Sequence, residues 1–155
     1  MIDSKSVSIP VNQQISLHDV VKENTGLLKI DCDGQDTTIL RNFLRNTQFF
    51  PTIYFENTIV DYPSLINSQE TVELAFTLGY QFAIIARNDG LLIWAGQLGA
   101  EHLYDVFWMQ LNVRKMNRTD LLYYTDVLLI HSKDTNKYKK LITQIRKDQN
   151  YNFEK

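Results

Sequence analysis

Three carboxylates crowd into six residues at Asp31-Cys32-Asp33-Gly34-Gln35-Asp36, directly after the apolar run Leu27-Leu28-Lys29-Ile30 and just ahead of a helical pattern. In an open α/β sheet, ligands bind at the carboxyl ends of strands. Like charges packed this closely repel, so folding alone gives little reason to gather them. A second strand-like run, Thr52-Ile53-Tyr54-Phe55, ends in Glu56-Asn57. Parallel neighbours lie about 4.8 Å apart, so Asp31 and Glu56 would converge at one rim. There a carboxylate can take the proton of a substrate hydroxyl as general base. Alternatively Asp31, Asp33, Glu56 and Asn57 offer hard oxygen ligands to Mg²⁺ or Ca²⁺. The plainer roles are a helix cap for Asp36 and a turn for Asp33-Gly34.

Other reactive side chains carry weaker signals. Cys32 is the lone cysteine. It reads as a small buried apolar residue more readily than as a nucleophile, and it excludes an intrachain disulfide. His18 reads as solvated and His102 as structural. No histidine pair has zinc-helix spacing, and one cysteine cannot build a cysteine-rich zinc site. There is no Gly-rich phosphate loop and no Gly-x-Ser-x-Gly elbow.

The elements that must position these groups follow from periodicity. Residues 4–9 suit a short strand, and Ser16 caps a short helical turn over residues 17–22 that Gly26 ends. Residues 27–31 form a strand. Asp36 or Thr37 caps the next helix, with Ile39, Leu40, Phe43 and Leu44 on one face. Residues 52–56 form a second strand. Asn67 opens a further helix, with Glu70 completing a capping box and Gly79 supplying the left-handed end. Residues 80–86 and 91–94 pair as a hairpin around Asn88-Asp89-Gly90. Glu101–Lys115 is a helix whose stripe of Leu103, Tyr104, Phe107, Trp108 and Leu111 reads as core or interface. Residues 126–131 form a last strand and residues 135–149 a last helix; Lys133, Lys137, Lys139, Lys140, Arg146 and Lys147, gathered near the C-terminus, read as a solvated face. Alternating strands and helices predict an α/β fold: a partial Rossmann-like mixed sheet of parallel strands plus an antiparallel hairpin, with helices packed on it.

The 155 residues suit one domain. A chain of this length buries roughly 70% of its unfolded surface. Net charge is −2, which gives no general pull toward phosphate backbones or anionic lipid, so nucleic acid is a poor partner. No run approaches the roughly 20 apolar residues of a membrane span. The N-terminal residues lack a signal-peptide pattern, and the cysteine usage fits a reducing cytoplasm.

Ser16-Leu17-His18-Asp19, Leu28-Lys29-Ile30-Asp31-Cys32-Asp33-Gly34, Leu40 and Pro51-Thr52-Ile53-Tyr54-Phe55-Glu56 together resemble FkbM-type S-adenosylmethionine-dependent methyltransferases. Leu78-Gly79-Tyr80, the hairpin at Asp89-Gly90 and residues 126–131 continue the likeness, which spans residues 14–133. The resemblance implies a class I methyltransferase-like sheet. Asp31 and Glu56 would end its fourth and fifth strands, and its last strand would run antiparallel, placing His131 at the opposite edge. It also implies S-adenosylmethionine as methyl donor and a hydroxyl of a sugar, glycolipid or small metabolite as acceptor. Some O-methyltransferases of that fold hold a divalent metal with an acidic residue and an Asp-Asn pair at those strand ends, which Glu56-Asn57 resembles. The chain departs from the family in His18 and Asp33. The larger departure is that none of the six glycines forms a Gly-rich turn ahead of Asp31. The expectation is therefore the C-terminal half of such a domain: a truncated enzyme, a non-catalytic relic, or a subunit completed by a partner chain or a second copy through its exposed strand edge and apolar helix faces. A sugar-binding module that reuses only the acidic rim is the third reading.

Overall fold

The computed structural model describes residues 16–99 and 101–150, apart from the side chains of residues 101, 102, 146, 149 and 150. The strand expected at 4–9 and the side chains of His102 and Arg146 lie outside the described residues. Among the described residues, eleven elements follow in order: α1 (Leu17–Val20), β1 (Leu27–Ile30), α2 (Asp36–Asn46), β2 (Thr52–Asn57), α3 (Tyr62–Thr77), β3 (Tyr80–Arg87), β4 (Leu92–Gln97), α4 (Glu101–Lys115), β5 (Thr125–His131), a 3-10 turn (Ser132–Asp134) and α5 (Thr135–Asn150). They build the mixed α/β sheet that the alternation implies.

The five strands lie in the order β1-β2-β5-β3-β4. β1 and β2 are parallel, with Ile30 opposite Phe55. β5 runs antiparallel between β2 and β3, so β3 points the same way as β1 and β2. The hairpin strand β4 closes the far edge. One rim of the sheet thus collects the carboxyl ends of β1, β2 and β3 and the start of β5. That rim positions the candidate site.

Strand alternation divides the two faces. Ile30, Ile53, Phe55, Ile85, Val127 and Leu129 point into a core shared with Leu40, Phe43 and Leu44 of α2, Leu65, Val72 and Ala75 of α3, and Leu103, Phe107 and Leu111 of α4. At roughly 25 cal/mol per Å² of apolar surface removed from water, this layer is the main stabilising term. The opposite face carries Lys29, Tyr54, Glu56, Asp126 and Phe82. There α5 packs through Tyr138, whose ring stacks on Phe82 at 4.3 Å, and through buried Ile142. Lys133, Lys137, Lys139, Lys140 and Lys147 are exposed, as a solvated face requires. Trp108 departs from the core stripe of α4: it is 40% exposed, with its ring 6.0 Å from that of Tyr62.

Two helix starts differ from the sequence reading. α3 begins at Tyr62, not near Asn67, because Asp61 and Ser64 make the capping box: Ser64 N donates to Asp61 Oδ1 at 2.8 Å and Asp61 N donates to Ser64 Oγ at 3.0 Å. Asn67 and Glu70 instead receive the Arg41 guanidinium from α2. Asp36 is not the cap of α2 either. It is the first helical residue, and Gln35 is the cap. The Asp36 carboxylate, 1% exposed, turns back to accept from Cys32 N and Gly34 N, both at 3.2 Å. That bond set shapes the turn after β1, in which Asp33 takes φ +45° and Gly34 φ +87°.

His131 ends β5 at the rim opposite the carboxylates, where an antiparallel last strand puts it. Its ring stacks on Phe50 at 5.1 Å and meets Tyr80 edge-on at 5.4 Å. Nδ1 accepts from Lys133 N at 3.3 Å, so Nε2 carries the proton and donates to Leu78 O at 3.2 Å. Both nitrogens are used by the neutral ring. Burial, aided by Lys133, holds its pKa below the ordinary 6.5, against the opposing pull of Leu78 O and Asp134. With the folded pKa below the unfolded one, the unfolded chain binds more protons in that window. Stability should therefore fall as pH drops below 6.5. In His131→Gln this limb of the stability curve, followed by urea unfolding at each pH, should flatten; an unchanged slope would refute it.

Candidate functional site

The turn after β1, the end of β2, the start of β5 and the β3–β4 turn meet around an open recess of about 260 Å³. Its walls are Lys29 and Ile30 of β1 with Asp31 just after it, Tyr54 and Glu56 of β2, Asp126 of β5 with Tyr124 just before it, and Asn88 from the hairpin turn. Alternation produces the grouping. Residues two apart on a strand share a face, so Lys29 accompanies Asp31 and Tyr54 accompanies Glu56.

Asp31 and Glu56, the two residues expected to meet, do line one recess. Asp31 pairs with Lys29 Nζ at 2.8 Å, an ion pair largely open to solvent. Asp31 and its hydrogen bond hold the Lys29 pKa above its usual value. Glu56 is half-buried and accepts from Thr58 Oγ1 at 2.8 Å. It stands directly across from Asp126 in the β2–β5 ladder. Opposed cross-strand side chains are close, and like charges there repel. Burial first, then the Asp36, Asp126 and Asp31 charges, raise the Glu56 pKa, while the Thr58 hydroxyl pulls it back. Burial and the neighbouring Asp126 carboxylate push the Tyr54 phenol up to about 12, so it stays a hydrogen-bond donor at neutral pH. Tyr124 is raised as well, by burial and by Glu56, Asp126 and Asp31.

Asp33 and Asn57 do not join them. Asp33 is exposed in its left-handed turn. Asn57 is fully buried on the core face of β2, where Oδ1 accepts from Ser68 Oγ at 2.7 Å. Consecutive strand residues face opposite ways, so Glu56 and Asn57 cannot ligate the same ion from a regular strand. Among the described residues, no group of three or more His, Cys, Asp or Glu side chains is arranged to hold a metal. The four proposed oxygen ligands therefore do not fit a Mg²⁺ site as a set.

The histidine and cysteine beside this rim also depart from expectation. Cys32 is exposed, not buried. Its backbone N–H is tied to Asp36, which turns the residue outward with the rest of the loop. His18 is half-buried, with its ring stacked on Phe43 at 5.5 Å.

One glycine, Gly26, stands ahead of Asp31, and its φ is not positive, so the described residues before Asp31 hold no Gly-rich turn of the kind that cradles a nucleotide.

Lys29, Tyr54, Asn88, Tyr124 and Asp126 were not assigned to this site from the sequence. Alternation gives Lys29 and Tyr54 once Asp31 and Glu56 are chosen. Asp126 and Tyr124 follow from the antiparallel sense of the last strand, which sends His131 to the far rim and brings the strand's first residues to this one.

The sequence matches no family model, and no curated protein or solved structure matches the chain. Among the described residues, no helix is long and apolar enough to cross a membrane.

Proposed function

We propose that the recess binds a small hydroxyl-bearing molecule, such as one ring of a sugar or of a glycolipid headgroup. In this reading the chain is the acceptor-binding part of an O-methyltransferase-type domain of the FkbM kind, working in the cytoplasm. The observation that carries it is the placing of Asp31 and Glu56 at the carboxyl ends of neighbouring parallel strands, facing one recess. Asp126 and two tyrosines on the same walls support it, since carboxylates and phenols together accept from and donate to vicinal hydroxyls. A volume of about 260 Å³ lies just below the usual range of about 300–1,000 Å³, which suits one small polar ligand. The antiparallel last strand between two strands of the opposite sense supports the family likeness.

Glu56 is the proton acceptor of this proposal. Its raised pKa brings a carboxylate closer to a hydroxyl's needs, and proton transfer is most effective when the catalytic pKa nears the working pH. Asp31, paired with Lys29, orients the acceptor by accepting a hydrogen bond. The methyl group would come from S-adenosylmethionine held on groups that these residues do not supply. The proposal assigns those to a partner chain or to further sequence carrying a Gly-rich turn. If no methyl transfer occurs, the same recess serves a sugar-binding module.

Two titrations of ¹⁵N-labelled protein test this. Methyl α-D-glucopyranoside should shift the amides of residues 31, 56, 88, 124 and 126, with affinity in the millimolar range, about −4 kcal/mol. S-adenosylmethionine should leave the spectrum unchanged. Sugar-induced shifts absent or confined to other residues would overturn the acceptor site. Tight binding of S-adenosylmethionine would overturn the account of the missing half.

A further inference from the structure

Gln110 is fully buried near the middle of α4, among apolar neighbours. Its Nε2 donates to Asn57 O at 2.9 Å and to Tyr123 O at 3.2 Å. Both amide protons are spent on two backbone carbonyls that are far apart in sequence and adjacent at the rim. Asn57 follows Glu56, and Tyr123 precedes Tyr124. Arg114, one helical turn on from Gln110, adds a third bond from Nη2 to Tyr123 O at 3.2 Å and lies over the Tyr123 ring at 4.8 Å.

The clamp is costly as a purely structural device. Gln110 Oε1, Asn57 Nδ2 and Arg114 Nε are buried without a protein partner. A buried polar atom without a partner is destabilising. A leucine at position 110 would fill much of the space without that penalty. Ladder pairing and the Thr125 hydroxyl already join Asn57 to the start of β5; what leucine could not do is bond Asn57 O and Tyr123 O, ahead of that strand, at once.

We propose that Gln110 is a positioning residue: from the core face of the sheet, it fixes the spacing between the two backbone segments that present Glu56 and Tyr124 to the recess. The inference rests on the reading of that recess as the acceptor site, but its geometry stands without any ligand. Holding Asn57 O and Tyr123 O on one planar amide leaves little freedom for the side chains next along each strand. The β2–β5 ladder opposes Glu56 and Asp126, and the clamp holds the end of that ladder together where burial and mutual repulsion both act on Glu56.

Gln110→Met keeps the length and volume but has no donor. Its test is the carboxyl ¹³C titration of Glu56 and the phenol titration of Tyr124 in the free protein. Loosening the rim admits water and lets the carboxylates part, so the Glu56 midpoint should fall by at least about half a pH unit. Ile142→Val, a cut in the α5 packing of comparable cost, should leave that midpoint in place. A folded Gln110→Met protein with the wild-type Glu56 and Tyr124 midpoints would overturn the proposal.

Should Gln110→Met fail to fold, the wild-type side chain still decides. Both Gln110 amide protons should exchange at least about a hundredfold more slowly than those of a solvated glutamine, as buried donors do. Exchange at the solvated rate would refute the clamp. Neither readout involves sugar, so failure here leaves acceptor binding intact, and failure of acceptor binding leaves the clamp standing.

Discussion

Gly79→Ala should lower stability by about 2–4 kcal/mol, from left-handed strain and overpacking combined. For a chain of this size, that corresponds to a melting temperature lower by roughly 5–15 °C. Gly79 joins the end of α3 to β3 with φ +93°. An added Cβ would stand 2.7 Å from His131 Nε2. The imidazole has nowhere to retreat, because it is stacked on Phe50, meets Tyr80 edge-on and is bonded at both nitrogens. The Gly79 carbonyl also accepts from Ser132 N at 2.9 Å, so the strain spreads into the turn that leads to α5. Gly90→Ala is the control. Gly90 has φ +85° but open space around it, so only the backbone term of about 1–2 kcal/mol applies. Equal losses at the two positions, measured by chemical denaturation, would show that the contact with His131 does not matter.

The same glycine shows which signals were legible in the sequence. Gly79 after a helical period, Asn88-Asp89-Gly90 between apolar runs, and the strand ends at Asp31 and Glu56 each depend on backbone conformation or on periods of two and 3.6. Such patterns act over a few residues and can be read locally. The misreadings came where two local solutions compete. Asn67 with Glu70 looks like a capping box, but Asp61 and Ser64 form one a turn and a half earlier, and Pro63 suits the first turn that follows. Asp36 has the chemistry of a cap and spends it on Cys32 N and Gly34 N instead.

The site was half legible for a related reason. Asp31 and Glu56 could be paired because βαβ units make neighbouring parallel strands. Asp126 enters only when β5 is known to lie antiparallel beside β2, a long-range fact that its own residues do not encode. Asn57 was misassigned by adjacency: next to Glu56 in sequence, it faces the other side of the sheet. Gln110 gave no signal at all, since one glutamine in an apolar helical stripe is indistinguishable from a surface position until the helix is docked.

The carboxylates themselves furnish the other large effect. Glu56→Gln should weaken acceptor binding about tenfold to a hundredfold, the loss of one hydrogen bond to a charged group, while making the folded protein more stable at neutral pH. The sign follows from the raised folded pKa of Glu56. A carboxyl group held above its unfolded pKa contributes stability that is present below the unfolded value and lost as pH rises through the folded one. Wild type should therefore lose stability on that limb, and Glu56→Gln should not. The two proteins should be about equally stable near pH 4 and differ by about 0.5–1 kcal/mol at pH 7, the scale of opposed cross-strand charges. Glutamine can keep its carbonyl oxygen on the Thr58 hydroxyl, so that bond does not confound the comparison. Asp126→Asn should relieve the same repulsion from the other strand. Because either change removes one shared interaction, the double variant should gain less than the sum of the two, and the shortfall measures the coupling. Strict additivity, or a Glu56→Gln protein less stable than wild type at pH 7, would mean that the two carboxylates do not oppose each other. Acidic groups that oppose folding at this rim, together with acceptor binding lost in Glu56→Gln, would separate the proposed ligand site from a chance cluster of surface charge.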